Sequence, residues 1–195
     1  MKQLIFATHN ANKVREISAL IGGGFEMKSL DDIGFFADIP ETGATLNDNA
    51  LIKARTIFSQ SAIPCFADDT GLEVDALGGA PGVYSARYAG DECDSDRNID
   101  KLLSALAGQT NRSARFRTVI AFVDKSETLF FEGVVEGRIA ERRLGEGGFG
   151  YDPIFIPSGF DVSFAQMNLA DKNKISHRGR AFHSFVEYLK TKSND

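Results

Sequence analysis

Ile63-Pro64-Cys65-Phe66-Ala67-Asp68-Asp69 is the stretch on which the reading of the fold turns. A short apolar run bounded by charge reads as a buried strand, here over 63–67 and ending at Asp68-Asp69. Carboxylates at the end of such a strand lie where α/β proteins bind ligands. A second run of the same kind, Gln3-Leu4-Ile5-Phe6-Ala7, leads into Thr8-His9-Asn10-Ala11-Asn12-Lys13. Val14, Ile17, Leu20 and Ile21 then recur at helical spacing, with Asn10 or Asn12 able to cap the helix and Gly22-Gly23-Gly24 ending it. A helix over about 46–59 has Thr45 as its cap, Asp48 as reciprocal partner, and Leu46, Ala50, Ala54 and Ile57 on its inner face. Residues 78–90 read as an ordered Gly-rich loop, and Ser95 caps a helix over 96–107 closed by Gly108. Residues 114–139 read as a β-hairpin turning at Lys125-Ser126-Glu127. The last helix starts near Ser176 and buries Phe182, Phe185, Val186 and Leu189, with His183 facing out. This element order predicts a three-layer or two-lobed α/β fold with a mixed sheet.

The 195 residues suit one domain, or two small lobes sharing a core. With 22 Lys+Arg against 27 Asp+Glu the net charge is -5, which argues against general nucleic-acid or anionic-membrane binding. Cys65 and Cys93 form no C-x-x-C pair, and His9, His177 and His183 do not space as metal ligands. The first residues are too short for a signal-peptide core, and no apolar run approaches the roughly 18 residues of a membrane span. A soluble, cytoplasmic, reduced protein is expected. Asn111-Arg112-Ser113 fits the glycosylation pattern by chance in that setting.

Gly145-Glu146-Gly147-Gly148-Phe149-Gly150 matches the G-x-G-x-x-G pattern of dinucleotide-binding turns. That turn needs a helix to open within it, with a pyrophosphate at the helix N-terminus. Here Pro153 disfavours helix at Asp152, and the following residues read as extended. The segment is better described as a glycine loop that presents Phe149 and Tyr151. A nicotinamide oxidoreductase rests on this motif alone.

Three further groups carry chemistry. Lys13 falls in a first helical turn, where a cation is unfavourable unless an anion such as phosphate meets it. A solvated lysine beside a capping asparagine is the plain alternative. Asp68 and Asp69 repel each other unless a cation or proton relieves them. Mg²⁺ commonly takes one or two carboxylates and completes its shell with substrate phosphates. One carboxylate then holds metal while its neighbour orients or deprotonates water. Lys172, His177 and Arg178, beside Lys174 and Arg180, make a donor-rich surface suited to a carbonyl or phosphate. Asn49 and Lys53, four apart on one helix flank and preceded by Glu41, taken alone read better as ordinary surface charge. Together these groups suggest a nucleoside polyphosphate hydrolase.

The blocks ATHNANKVRE (7–16), ETGATLNDNALIKA (41–54), ADDTGLEVDALGGAPGVYSARYAG (67–90), GEGGFGYDPIF (145–155) and KNKISHRGRA (172–181) run in order along the chain. In them the chain resembles the inosine/xanthosine triphosphate pyrophosphatases, which hydrolyse deaminated purine nucleotides. The resemblance implies residues 1–195 as a single α/β domain of two lobes, with a long twisted mixed β-sheet flanked by helices and a substrate groove between lobes. It implies a homodimer and Mg²⁺-dependent release of pyrophosphate and a nucleoside monophosphate from ITP, dITP or XTP. By motif position, Thr8, His9, Asn10, Ala11, Asn12 and Lys13 would meet the triphosphate, supported by Lys53. Glu41 and Asp69 would hold Mg²⁺, and Asp69 with Asp68 would activate the attacking water. Thr70 stands where many members have Ser and keeps the hydroxyl. Phe149 would stack on the purine, with Gly150, Tyr151 and Asp152 shaping its pocket and Lys172, His177 and Arg178 at the base edge. The rival readings are a pyrophosphatase acting on other modified or pyrimidine nucleotides, and a non-catalytic nucleotide sensor.

Overall fold

The computed structural model describes residues 2–193 apart from 11–12, 15–16, 18–20 and 22–23. Ala11, Asn12, Leu20, Gly22 and Gly23, which carry expectations above, lie outside the described residues. Among the described residues, seven strands form one mixed sheet: β1 (Lys2–Phe6), β2 (Phe25–Lys28), β3 (Cys65–Val74), β4 (Pro81–Gly82), β5 (Ser113–Val123), β6 (Thr128–Ile139) and β7 (Phe155–Pro157). Their order is β2-β1-β3-β5-β6-β7, with β4 paired to β3. β1 runs parallel to β2 and to β3, while β3–β4 and β6–β7 are antiparallel. β5 and β6 are neighbours joined by only four residues, too few for a parallel crossover, so they form the expected hairpin. Asp124 Oδ1 tightens its turn by accepting from Ser126 and Glu127 backbone N–H groups.

The helices are α1 (Leu46–Ser61), α2 (Ser95–Ala105), α3 (Leu169–Ile175) and α4 (His177–Ser193); Lys13, Val14, Ile17 and Ile21 are also helical. α1 starts at the expected reciprocal cap: Thr45 Oγ1 accepts from Asp48 N–H, and the Asp48 carboxylate accepts from Thr45 N–H. Leu46, Ala50, Ala54 and Ile57 are buried along it. No described helix is long and apolar enough to cross a membrane.

The chain divides into two compact units. One comprises residues 1–69, 119–132 and 181–195. Its core gathers Leu4, Phe6, Phe66, Ile120 and Phe122 from the strands with Phe182, Phe185 and Leu189 from α4. Phe6 stacks on Phe66 at 4.4 Å, and Phe182 meets both rings edge-on. The other unit comprises residues 70–118 and 133–180. Its core joins Leu72, Val74, Phe116 and Ile139 to Ile99 and Leu102 of α2 and to Phe155 and Phe164.

Four local expectations need correction. β3 does not end at Asp68-Asp69 but continues to Val74. The acidic pair is neutralised within its own unit, as described below, and Leu72, Glu73 and Val74 resume an in-out alternation. The cap of α2 is Asp94, whose carboxylate accepts from Asp96 and Arg97 N–H; Ser95 is already helical. Lys172 lies not on the last helix but on α3, a separate seven-residue helix capped by Asn168. Residues 78–90, read as loop, include β4 and a 3₁₀ turn at Ser85–Arg87.

Candidate active site

In the first unit the backbone delivers the chemistry directly. β1 stops at Phe6, and Ala7 N–H still donates to Phe66 O, so the loop that follows is fastened beside the start of β3. Thr8 Oγ1 accepts from Asn10 N–H at 3.2 Å, and Asn10 Oδ1 accepts from Lys13 N–H at 3.2 Å. Asn10 thus makes the capping contact expected of it. The His9 ring meets the Asp31 carboxylate at 2.7 Å, and Leu30 N–H donates to Thr8 O.

Lys13 Nζ donates to both oxygens of Asp68 at 2.8 Å. Asp68 is 3% exposed, so this bidentate contact accounts for a buried carboxylate. On α1, Lys53 Nζ donates to Glu41 Oε1 at 2.6 Å and lies 3.8 Å from Asp69 Oδ1. Burial alone would push the Lys53 ammonium toward deprotonation, but the charges of Asp69, Asp68 and Glu41 outweigh it and raise its pKa above the ordinary lysine value. Lys53 thus stays a cation among carboxylates. Glu41 is placed by its own loop: the fully buried Asn49 side chain accepts Gly43 N–H at 2.8 Å. A side chain at 43 would collide with Asp48 and Asn49, so glycine permits this close approach.

In the second unit the glycine loop is anchored from beneath. The Asp152 carboxylate accepts from Phe149 N–H at 2.8 Å and from Lys172 Nζ at 2.5 Å. Both partners of that ion pair are nearly enclosed. Gly148 has φ +76, and a Cβ there would run into the Asp152 carboxylate. Phe149 itself is 64% exposed, with Lys172 Nζ 4.8 Å and Arg178 Cζ 5.2 Å from its ring centre. Tyr151 is buried, donates to Ser85 O at 2.8 Å, and has its hydroxyl pKa pushed up by burial. Gly150 takes φ +57 between the two aromatic residues. No helix opens within the G-x-G-x-x-G segment; turns lead into a 3₁₀ turn at Asp152–Ile154 and then β7. The dinucleotide reading fails on that observation.

The expected residues therefore fall into two clusters. Thr8, His9, Asn10, Lys13, Glu41, Lys53, Asp68 and Asp69 belong to the first unit. Thr70, Phe149, Gly150, Tyr151, Asp152, Lys172, His177 and Arg178 belong to the second. His177 differs from its neighbours: its ring is 4% exposed and stacks on Phe116 at 4.6 Å. Thr70 Oγ1 is 2.7 Å from Thr118 Oγ1, a buried hydroxyl.

The model of the Ham1 family matches residues 4–188. The chain belongs to the Ham1 family. It is similar to the dITP/XTP pyrophosphatase of Christiangramia forsetii, with 55% identity over 187 residues covering 96% of this chain and 98% of that one. It is similar also to the dITP/XTP pyrophosphatase of Porphyromonas gingivalis, 52% identical, covering 97% and 98% respectively. Among solved structures, the Staphylococcus aureus Ham1 protein superimposes with a TM-score of 0.94 at 38% identity, covering 98% of this chain and all of that one.

Supporting residues of this Ham1 family site were less visible in the sequence. Gly43 and Asn49 place Glu41, Thr118 faces Thr70, and Gly148 leaves room for Asp152. The one local signal was Asn49 itself, a polar residue on the flank of an apolar helical stripe.

Proposed function

We propose that this chain hydrolyses the deaminated purine nucleoside triphosphates dITP, ITP and XTP to the nucleoside monophosphate and pyrophosphate. Its close relatives' description as dITP/XTP pyrophosphatases supports the reaction. The observation that carries the residue roles is the first cluster, where two lysines face three carboxylates at the end of β1. Thr8, His9, Asn10 and Lys13, with Ala11 and Asn12 of the same loop, take the triphosphate, and Lys53 supports it. Glu41 and Asp69 hold Mg²⁺. The fit is chemical: both are hard oxygen donors, and a cationic ammonium already lies within reach of both. When bound, the metal neutralises developing phosphate charge.

Water attacks the α-phosphorus, its proton passes to Asp69 or Asp68, and the bond from the α-phosphorus to the bridging oxygen breaks to release pyrophosphate. Positioning and charge neutralisation supply most of the acceleration. Phe149 stacks on the purine above the fixed Asp152–Lys172 pair, with Gly150 and Tyr151 shaping the pocket. Lys172 and Arg178 donate to the 6-keto oxygen, with His177 behind them. Adenine presents a 6-amino donor there and leaves those donors unpaired, a mismatch worth roughly 10⁴ in discrimination where a site is built for the acceptor. Thr70 keeps the hydroxyl next to Asp69.

Residues 1–195 act as one catalytic domain, and the working form is a cytoplasmic homodimer. The 77% exposure of Phe36 supports an interface of some kind, and light scattering tests it. Pyrophosphate release from equal ITP, dITP, XTP, GTP, ATP and dTTP, with Mg²⁺ and with EDTA, tests the activity. Fast Mg²⁺-dependent release from the first three alone is expected. Release spread evenly over ordinary nucleotides would favour the broader pyrophosphatase, and no release would favour a nucleotide sensor.

A further inference from the structure

Lys53 contacts the two carboxylates that the proposed reaction gives to a divalent cation. Its Nζ lies 2.6 Å from Glu41 Oε1 and 3.8 Å from Asp69 Oδ1, and its side chain is only 15% exposed. One residue back along β3, Lys13 holds both oxygens of Asp68. The set comprises three carboxylates and two ammonium groups, each lysine committed to a carboxylate rather than to solvent. An ammonium and a divalent ion repel strongly at contact distance in a partly desolvated site. They also compete for the same oxygen lone pairs. The lone pairs that Lys53 engages on Glu41 and Asp69 serve one cation at a time.

We infer that Lys53 is a placeholder cation, occupying the Glu41–Asp69 position in the nucleotide-free chain and ceding it to Mg²⁺ when phosphate oxygens give its ammonium a new partner. The inference rests on the assignment of Glu41 and Asp69 under the proposed function. It adds that metal and triphosphate bind synergistically, and that the site disfavours metal alone. Such coupling is reciprocal: whatever the triphosphate adds to metal affinity, the metal adds to triphosphate affinity. Lys53 also relieves the mutual repulsion of the carboxylates while the site awaits substrate.

The test is Mn²⁺ binding to the nucleotide-free protein, followed by the paramagnetic resonance of free Mn²⁺. Lys53→Met keeps the apolar stem and removes the charge. It should bind Mn²⁺ about tenfold more tightly than wild type, within the usual span of coupled sites. Lys53→Arg should stay close to wild type. Equal or weaker binding by Lys53→Met overturns the inference, because a lysine that only props up Glu41 would weaken the metal site when removed. Should Lys53→Met fail to fold, the wild-type chain with ¹⁵N-labelled lysine provides the measurement. Mg²⁺ added together with pyrophosphate should shift the Lys53 Nζ resonance beyond its position with pyrophosphate alone, and a resonance that Mg²⁺ does not move in the presence of pyrophosphate overturns the inference equally. Pyrophosphate release from dITP by the same wild-type preparation separates the two levels. Neither Mn²⁺ binding nor release sinks the proposed function and the placeholder together. Normal release without tightening in Lys53→Met sinks the placeholder alone.

Discussion

The two clusters hold their groups in opposite ways. In the first unit the reactive carboxylates stand on a strand and a short loop, and their counter-charges come from lysines on helical segments. In the second, an aromatic ring stands out on a glycine loop, and the charges lie beneath it as the nearly enclosed Asp152–Lys172 pair. Separating a buried pair is costly, so Asp152–Lys172 acts as a fixed floor. Groups on strands and helices are also held more tightly than groups on loops. Bond cleavage needs that precision, whereas stacking on a base tolerates a loop. The triphosphate is common to every nucleotide, so under the proposed function the first cluster would set rate. Only the base differs, so under the same proposal the second would set choice.

Asp69→Asn should therefore cost the most, at least about 10³-fold in turnover by pyrophosphate release, with ITP binding retained by calorimetry. A near-wild-type kcat would remove Asp69 from the chemistry and put the reactive group elsewhere. Gly43→Ala comes next. The added methyl forces Asn49 and Asp48 away from the loop, displaces Glu41, and should lower kcat by about 10- to 100-fold, as loss of groups supporting a metal ligand does. The ratio of ITP to ATP activity should not move; a changed ratio would mean that the first cluster also reads the base. Arg178→Ala should do the reverse, narrowing that ratio by about tenfold with a smaller effect on kcat. If the ratio stays constant, Arg178 has no part in base readout. Thr45→Ala removes the α1 cap and touches neither cluster's charges. It should lower stability by about 1 kcal/mol and the Tm by roughly 2–4 °C, with kinetics unchanged, by calorimetry and the same assay.

The sequence by itself determined the features whose cause lies within a few residues. Thr45 and Asp48 cap α1 reciprocally, and alternating residues before and after a polar turn make the β5–β6 hairpin. Pro153 after the glycine motif excludes a dinucleotide turn. A lysine in a first helical turn pointed to a nearby anion, and the structure supplies one in Asp68. Only the tertiary structure decided how the charges pair. Asp68 meets Lys13 across 55 positions, and Asp152 meets Lys172 across 20. For that reason β3 passes through two carboxylates that, read locally, should end it. Lys172 was assigned to the wrong helix because seven residues of α3 are too few to show a period of their own. The row of basic residues around His177 gives no local sign that its ring stacks on Phe116, distant in the chain. Caps, turns and alternation act between chain neighbours and are written in local order. Neutralising a buried charge and stacking a ring depend on distances that arise only when remote segments pack.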